Sequence, residues 1–494
     1  MAGLDELRHA RLLKKGILED QGFLAYPASV PRTHSILNIK NEFDNLVNSG
    51  STVSIVGRII SIRGQGAILF VTLLDAGETF QAVFKKDELN EKDFNLFVDT
   101  SDIGDFISVT GNLFTTQRGE NSILAKNWVM ATKSLLPLPE KWHGLEDDEE
   151  RNRKRYLEMV SDVSVYQRMV LRSKIVSAIR NFFDELGFIE VETPVLQNQA
   201  GGANAKTFDT HHNDYDMDMV LRIAVELDHK MIMAGGIPRI YELGKMFRNE
   251  GSDPSHIQEF TMIEWYSAYN TLQENIQWTE KLLKHLAMDV VGKTEFKVWD
   301  KENNEHTISF DGTWPKRRFD ELLMEYANVD FNNITENDLI AEVKKYGMGD
   351  DEVKTTSRAN MLDYIYKRTA RPKLINPTFV TNYPGVLKPL AQQNTDGTAE
   401  VAQLVIAGAE ITNQYAELVD PTIQRKLMED QAKAKLAGDE EAMDVDERFL
   451  TAMEHGMPPM TGFGMGIDRI VAILTEQNNL RDTIYFPIMR PKQD

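Results

Sequence analysis

The 494-residue chain has no cysteine. Disulfides and thiolate metal centres are therefore excluded, and a reducing compartment such as the cytoplasm is compatible with the composition. Long apolar runs are missing as well, so no membrane-spanning helix and no membrane partner are expected. The opening Met-Ala-Gly-Leu-Asp-Glu-Leu-Arg-His is too charged to read as a secretory signal. Positive charge is scarce: 55 Lys and Arg stand against 76 Asp and Glu, a net of −21. That deficit argues at first against a nucleic-acid partner, DNA included, although net charge alone does not decide the matter. The deficit is uneven, however. Residues 1–140 contribute −3 and the remaining 354 contribute −18, so any polyanion contact must rely on local basic or aromatic patches, with the N-terminal part the better candidate. There is no internal repeat. What is present, 42% hydrophobic and 27% charged residues, describes a globular chain long enough for two or three domains.

Residues 4–20 read as a helix carried by Leu4, Leu7, Leu12, Leu13 and Ile17. From Ser51 to Thr132 the pattern changes to short β runs near 53–60, 67–74, 80–84, 106–110 and 122–125, with a helical insert near 88–97. Five strands in so short a span predict a small barrel of the oligonucleotide-binding type, with fragments of a sandwich as the alternative. A linker holding Pro137 and Pro139 follows, then a charge run from Glu146 to Arg155 that reads as a solvated helix. An amphipathic helix spans about Val165 to Leu186 (Met169, Ile175, Val176, Ile179, Phe182, Phe183), with Gly187 as its stop signal. Residues 188–194 read as a strand.

Beyond these come a hairpin over 239–268, a helix near 272–290, a weakly patterned insert at 292–370 and more strand at 401–418. Asp420 and Pro421 cap a charged helix running to about Ala437, and the acidic stretch Gly438 to Glu447 reads as a surface turn. Strands that pair mostly as hairpins, with helices between them, predict an α+β domain around a mainly antiparallel sheet. The expected division is a lead-in at 1–50, a barrel at 51–140, a linker at 141–164 and the α+β domain at 165–494.

The chemistry concentrates between Phe247 and Tyr266, which read as two strands joined by a polar turn. Side chains alternate faces along a strand, so Arg248 and Glu250 share one side, as do Phe260, Met262, Glu264 and Tyr266. Antiparallel pairing can unite both rows on one surface. A guanidinium, carboxylates, an aromatic plane and a phenol are the groups needed to hold a phosphate, stack a purine and grip a small zwitterion. Near the C-terminus, Gly462-Phe-Gly-Met-Gly-Ile-Asp-Arg469 allows close backbone approach at its glycines and sets Arg469 at the start of an apolar helix. The Gly-x-Gly-x-Gly spacing is not the dinucleotide fingerprint.

Together these segments resemble the three signature motifs of class II aminoacyl-tRNA synthetases: the helix and strand ending at Pro194, Phe247–Tyr266, and Gly462–Ile473. The chain is most similar to the bacterial-type lysyl-tRNA synthetase family, through Gly201-Gly-Ala-Asn-Ala-Lys-Thr-Phe, Leu221-Arg-Ile-Ala-Val-Glu-Leu, Glu410-Ile-Thr-Asn-Gln-Tyr-Ala-Glu-Leu and Arg481-Asp-Thr-Ile-Tyr-Phe-Pro. The resemblance covers nearly the whole chain. It implies a cytoplasmic homodimer that uses ATP and Mg²⁺ to join L-lysine to tRNA(Lys), with the first motif forming the dimer.

The same resemblance suggests roles. Arg248 would bridge the amino-acid carboxylate and the α-phosphate. Phe260 would stack on adenine beside Glu250, and His256 and Arg469 would hold the outer phosphates. Glu410 would bind magnesium, with Gln403 at the second metal position. Glu226, with Glu264 close by, would meet the α-ammonium. Glu417 and Tyr266 would receive the ε-ammonium in a pocket shaped by Asn413 and Tyr415. In the barrel, Phe70, Gln81 and Glu120 match anticodon-reading positions, with Phe70 as plain core the alternative, and Arg58 and Arg63 could meet the RNA backbone.

The sequence also departs from that family. Gln403 replaces a glutamate, Lys206 an arginine and Lys388 a small residue, while Asn382 stands in a segment that is more usually acidic. Aspartyl and asparaginyl synthetases share the architecture but need a cationic subsite, whereas Glu417 and Tyr266 suit a cation. A silent RNA-binding relative would have little use for Arg248, Phe260 and Arg469. A protein-lysylating relative would lack the barrel.

Overall fold

The computed structural model describes residues 3–139, 147–203, 205–436 and 444–491. Most of the linker's first part (140–146) and of the acidic turn (438–443) lie outside the described residues, as does Asn204. The chain divides into two compact units, Met1–Gln167 and Arg168–Asp494.

The first unit is built on a closed barrel of β1 (Thr52–Gln65), β2 (Ile68–Asp75), β3 (Glu78–Lys85), β4 (Phe106–Thr115) and β5 (Asn121–Thr132), in the order β1-β2-β3-β5-β4. The barrel expectation holds, and a sandwich is excluded. Alternation decides what fills it: Leu69, Val71 and Leu73 of β2 are buried with Val53, Ile55, Phe84, Val109 and Trp128. The helical insert is Glu91–Thr100. Asn90 caps it, accepting from the Asp93 amide at 2.8 Å, and Phe97 stacks on Phe84 in the core.

Two expectations need correction here. The helix Leu4–Asp20 forms as read, but Leu4, Leu7, Leu12, Leu13 and Ile17 are all exposed, and its inward face carries Leu18 and Arg11. Arg11 is held because its guanidinium donates to the carbonyls of Ser134, Leu136 and Ile103 at 2.9–3.2 Å. These three bonds outweigh a stripe of leucines with nothing to pack on. The charge run is likewise two short helices, Asp148–Arg153 and Arg155–Ser161, and Arg155 is fully buried in an ion pair with Glu158.

In the second unit the strands are β6 (Ile189–Glu190), β7 (Leu196–Gln197), β8 (Asp209–His212), β9 (Met217–Leu221), β10 (Arg239–Phe247), β11 (Glu259–Ala268), β12 (Glu295–Trp299), β13 (Glu305–Ser309), β14 (Lys316–Arg318), β15 (Thr378–Thr381), β16 (Val401–Ile406), β17 (Ala409–Ala416) and β18 (Met460–Gly466). Eight form the main sheet in the order β14-β15-β16-β17-β18-β11-β10-β6; only its two edge pairs are parallel. The stretch 188–194 contributes just the two residues of β6, less than expected; Thr193 beyond it is bonded instead to Glu242, in a buried polar network described below.

One face of this sheet packs on the helices Val163–Glu185, Leu272–His285 and Ile467–Leu474, through Ile175, Phe183, Trp265, Leu282, Phe463 and Val471. Gly187 ends the first of these at φ +76°, where only glycine is comfortable. The insert is more ordered than its pattern suggests: four helices between Phe319 and Thr369 build a separate core with Val380, Val401 and Val405 on the opposite face. The other half of that opposite face carries polar side chains and glycines.

Candidate active site

Cross-strand register makes the site legible row by row, because directly opposed residues share a face. One row runs Glu242, Glu264, Gly464, Asn413, Gln403 across β10, β11, β18, β17 and β16; the next runs Ile240, Tyr266, Gly462, Tyr415, Val401. The glycines occupy the middle strand. A Cβ at Gly462 would overlap Glu417 Oε1 and stand 2.5 Å from Tyr266 Cε1; one at Gly464 would lie 2.7 Å from Met262 Cε. Their absence produces a smooth floor flanked by polar walls, while Phe463 and Met465 between them point into the core. A bulge in β17 at Ile411 sets Glu410 opposite Val405, and so on the same face as Gln403 and Asn413.

The strand assignment of Arg248 and Glu250 needs correction: β10 ends at Phe247, and both lie in the loop beyond it. The Arg248 amide still donates to Gln258 O at 2.8 Å, extending the hairpin by one rung. Its guanidinium rests 5.2 Å from the centroid of the Phe260 ring, so cation and aromatic plane meet as expected. Burial lowers the pKa of Arg248, opposed by Glu264, Glu250 and Glu410, which are therefore all close enough to act on it. Arg469, on the helix Ile467–Leu474, donates to Glu410 O at 2.7 Å and lies 3.4 Å from His256 Nε2. His256 is exposed on the hairpin loop, its Nδ1 against Asp253. The structure thus gathers Arg248, Glu250, His256, Phe260, Glu410 and Arg469 at one end of the face.

The other end is buried and acidic. Glu417 is 4% exposed and Glu264 4%. Lys230, fully buried, reaches both Glu226 Oε1 (2.7 Å) and Glu417 Oε2 (2.6 Å). Those two carboxylates hold its pKa up against burial. Glu417 Oε1 has no hydrogen-bond partner among the described residues. Burial pushes Glu264 up to about 8, with Glu226 adding to the shift and Arg248 opposing it. The Tyr266 hydroxyl donates to Glu264 Oε2 at 3.4 Å, and its ring meets the edge of His229. Gln403 donates its amide to Asn413 Oδ1 (3.2 Å), and Asn413 donates in turn to the Tyr415 hydroxyl (2.6 Å). Glu226, Glu264, Tyr266, Asn413, Tyr415 and Glu417 are therefore gathered at this end of the face.

On the barrel, Phe70 is half-buried and faces outward between Leu69 and Val71, so the plain-core alternative fails. Gln81 stands opposite Thr72 and donates to Ser122 Oγ at 2.9 Å; Glu120, exposed, closes the group. Arg58 belongs to the same outer face but lies opposite Leu74, four residues along β2 and about 13 Å from Phe70. There it stacks on Phe106 at 4.3 Å. Arg63, opposite Phe70, is the nearer basic residue.

Residues 147–490 match the family described as tRNA synthetases class II (D, K and N), and residues 53–131 match the OB-fold nucleic acid binding domain. The lysine–tRNA ligase of Moorella thermoacetica is 38% identical, covering 99% of both chains. That of Carboxydothermus hydrogenoformans is 40% identical over 99% of both. That of Thermosynechococcus vestitus is 39% identical over 99% of this chain and 97% of its own. The chain belongs to the lysine–tRNA ligase family of class II synthetases.

Two residues of this synthetase fold were missed in the sequence. Lys230 sits one helical turn after Glu226 in the helix Glu226–Ala234, where a Glu–Lys pair at i,i+4 reads as a surface bridge; no local signal told that both would be buried. Glu242 accepts from the Thr193 amide and hydroxyl, from Arg222 and from His229, tying four segments together behind the pocket. The departure at Asn382 has a backbone reason: φ is +58°, a conformation asparagine tolerates better than most residues. At the metal positions, Glu410 offers one carboxylate and Gln403 a neutral amide, and no group of three His, Asp or Glu is close enough to hold an ion among the described residues. Mg²⁺ bound with a nucleotide takes most of its ligands from phosphate and water and one or two from protein. This donor set fits one such shared ion.

Proposed function

We propose that this chain attaches L-lysine to the 3′ end of tRNA(Lys) through a lysyl-adenylate, releasing pyrophosphate and AMP. The observation that carries the lysine assignment is Glu417 Oε1, a buried carboxylate oxygen with no partner at the end of the pocket. Leaving such an acceptor unmatched is costly, and a long amino acid ending in an ammonium satisfies it. An acidic side chain would need a free cation there, and Lys230 is already engaged by Glu226 and Glu417.

Arg248 holds the amino-acid carboxylate against the α-phosphate, with the planar fork suited to two oxyanions. Phe260 stacks on adenine, Glu250 accepts from its amino group, and His256 and Arg469 take the outer phosphates. Glu226, with Glu264, receives the α-ammonium; Glu417 and Tyr266 receive the ε-ammonium; Asn413 and Tyr415 fix the pocket's width. Mg²⁺ at Glu410, beside Gln403, would neutralise phosphate charge when the nucleotide is bound. The lysine carboxylate oxygen attacks the α-phosphorus and the bond to pyrophosphate breaks. The 3′-terminal hydroxyl of the tRNA then attacks the acyl carbon, and AMP leaves. No protein nucleophile takes part; the chain supplies position and charge.

Phe70, with Gln81 and Glu120, takes an anticodon base on the barrel, and Arg58 and Arg63 face the backbone. Ile189, Val195 and Leu196 are exposed apolar side chains beside the long helix, which favours a second copy covering them to form a homodimer. The chain acts in the cytoplasm, in keeping with its lack of cysteine and of any helix long and apolar enough to cross a membrane among the described residues. ATP–pyrophosphate exchange across the twenty amino acids tests the reading, followed by charging of a tRNA with a UUU anticodon. Exchange with lysine far above the others is expected; preference for aspartate or asparagine would overturn it.

A further inference from the structure

Lys230 is a buried cation that the roles above leave unused. It lies in the helix Glu226–Ala234, is fully buried, and sets its ammonium 2.7 Å from Glu226 Oε1 and 2.6 Å from Glu417 Oε2. The centroid of the Phe449 ring stands 5.9 Å from the same ammonium. Stability does not ask for such a group, because well-packed apolar side chains in place of a buried ion pair are often as stable or more so. What the ammonium changes is the set of oxygens left open at the acidic end of the face.

Glu417 is anchored through its backbone: its amide donates to Met460 O at 2.9 Å, and it forms a bridge with Ala391. Its two carboxylate oxygens face different neighbours. Oε2 is paired with Lys230, whereas Oε1 occupies the space that a Cβ at Gly462 would take, on the floor of the site. A carboxylate with both oxygens open matches the planar fork of a guanidinium through two parallel bonds. With Oε2 held by Lys230, a single oxygen remains. That suits an ammonium, a compact charge with rotatable donors. A guanidinium would make one bond there and bury a second N–H without its acceptor.

We infer that Lys230 selects lysine over amino acids with guanidinium side chains, by holding Glu417 Oε2 so that only Oε1 meets the substrate. The inference rests on the ligase reading of this site, and it makes Lys230 a positioning residue that acts through Glu417. One charge-assisted hydrogen bond is worth about ten- to a hundredfold in affinity, which sets the size of the effect.

The test is ATP–pyrophosphate exchange by the full-length protein with lysine and with norarginine. Norarginine is one methylene shorter than arginine and brings its guanidinium nitrogens to the reach of lysine's ammonium. Wild type is compared with Lys230→Met and with Lys230→Gln, a shorter neutral donor that stays near Glu226 and releases Glu417. KM for ATP is read in parallel as the measure of an intact site. Wild type should prefer lysine to norarginine in kcat/KM by about a hundredfold or more. In the variants lysine use should fall and norarginine use rise, so that this preference shrinks by about ten- to a hundredfold. Lys230→Met leaves two buried carboxylates unpaired and is the more destabilised form, so Lys230→Gln decides where Lys230→Met loses its affinity for ATP. Equal proportional losses of lysine and norarginine use, at unchanged KM for ATP, would overturn the inference and leave Lys230 a structural residue. A wild type that uses norarginine within about tenfold of lysine would overturn it without any variant. Absence of lysine-dependent exchange in wild type would instead overturn the ligase reading on which it rests.

Discussion

pH enters the proposed lysine site through two buried carboxyls, Glu417, raised by burial beside Lys230 and Glu226, and Glu264. Burial, reinforced by Glu226, pushes the Glu264 carboxyl up to about 8, so the empty pocket carries a proton near neutrality. An incoming ammonium favours the ionised form and expels that proton. Binding of lysine must therefore strengthen as pH rises towards 8 and level off above it, by up to about tenfold per pH unit for one linked proton. Calorimetry between about pH 6 and 9, in buffers of different ionisation enthalpy, should show proton release on lysine binding that Glu264→Gln reduces, the remainder coming from Glu417. A lysine affinity flat across that range would refute the linkage. For folding the sign is the reverse. A carboxyl raised in the folded state favours folding while protonated, so its contribution fades as pH climbs from the ordinary carboxylate range towards 8.

Gly462 makes the same end of the pocket sensitive to a single carbon. Its missing Cβ is the space taken by Glu417 Oε1 and the Tyr266 ring. Gly462→Ala must displace one of them, so KM for lysine should rise on the order of a hundredfold, the cost of a misplaced binding group, while ATP affinity holds. Equal losses for both ligands would mean that the strand itself had shifted. The importance of these glycines was visible in the sequence, but their purpose was not. Gly-x-Gly-x-Gly announces close approach; only the register shows that the approaching groups are Glu417 and Tyr266 rather than a phosphate.

Among elements, strand periodicity and turn residues carried the architecture, and polar anchoring defeated the simpler expectations. The hydrophobic pattern of the first helix named Leu4, Leu7, Leu12, Leu13 and Ile17 as its inner face. Arg11 turned it the other way, because carbonyls near 103 and 134–136 needed donors. Contacts so distant in sequence leave no trace in local periodicity. The Glu242 network has the same character: β10, the helix Glu226–Ala234, Thr193 and Arg222 meet at one carboxylate. Burial alone would raise the pKa of Glu242, but bonds from His229, Thr193 and Arg222 outweigh it and hold the carboxyl below its ordinary range. Its stabilisation is thus present above the ordinary carboxylate pKa and is lost as pH falls through the lower folded value. Glu242→Ala strands the buried Arg222 and should cost about 3–5 kcal/mol in urea unfolding at neutral pH. Wild type should also lose stability on acidification more steeply than Glu242→Gln, and parallel pH profiles would show that the network carries no such linkage.

For the whole molecule, the two units divide the labour that the charge distribution hints at. An overall charge of −21 would repel RNA, yet only −3 of it lies in residues 1–140, and Phe70, Gln81 and Ser122 sit together on the outer face of that part. In the proposed reading, recognition there draws on stacking and a few hydrogen bonds more than on counterion release, so tRNA affinity should fall with salt less steeply than for a basic protein. Stacking on one aromatic is worth about 1–3 kcal/mol, so Phe70→Ala should lower kcat/KM for tRNA charging by about 5- to 150-fold. Lysine-dependent ATP–pyrophosphate exchange, which needs only the second unit, should be unchanged. The chain shortened to residues 147–494 sharpens the comparison. The second unit has its own core on both sides of its sheet, so exchange should survive the removal, while charging falls below that of Phe70→Ala because Gln81 and Glu120 go too. Loss of exchange in the shortened chain, with Phe70→Ala still active in it, would show that the first unit supports the adenylation site as well as reading the tRNA.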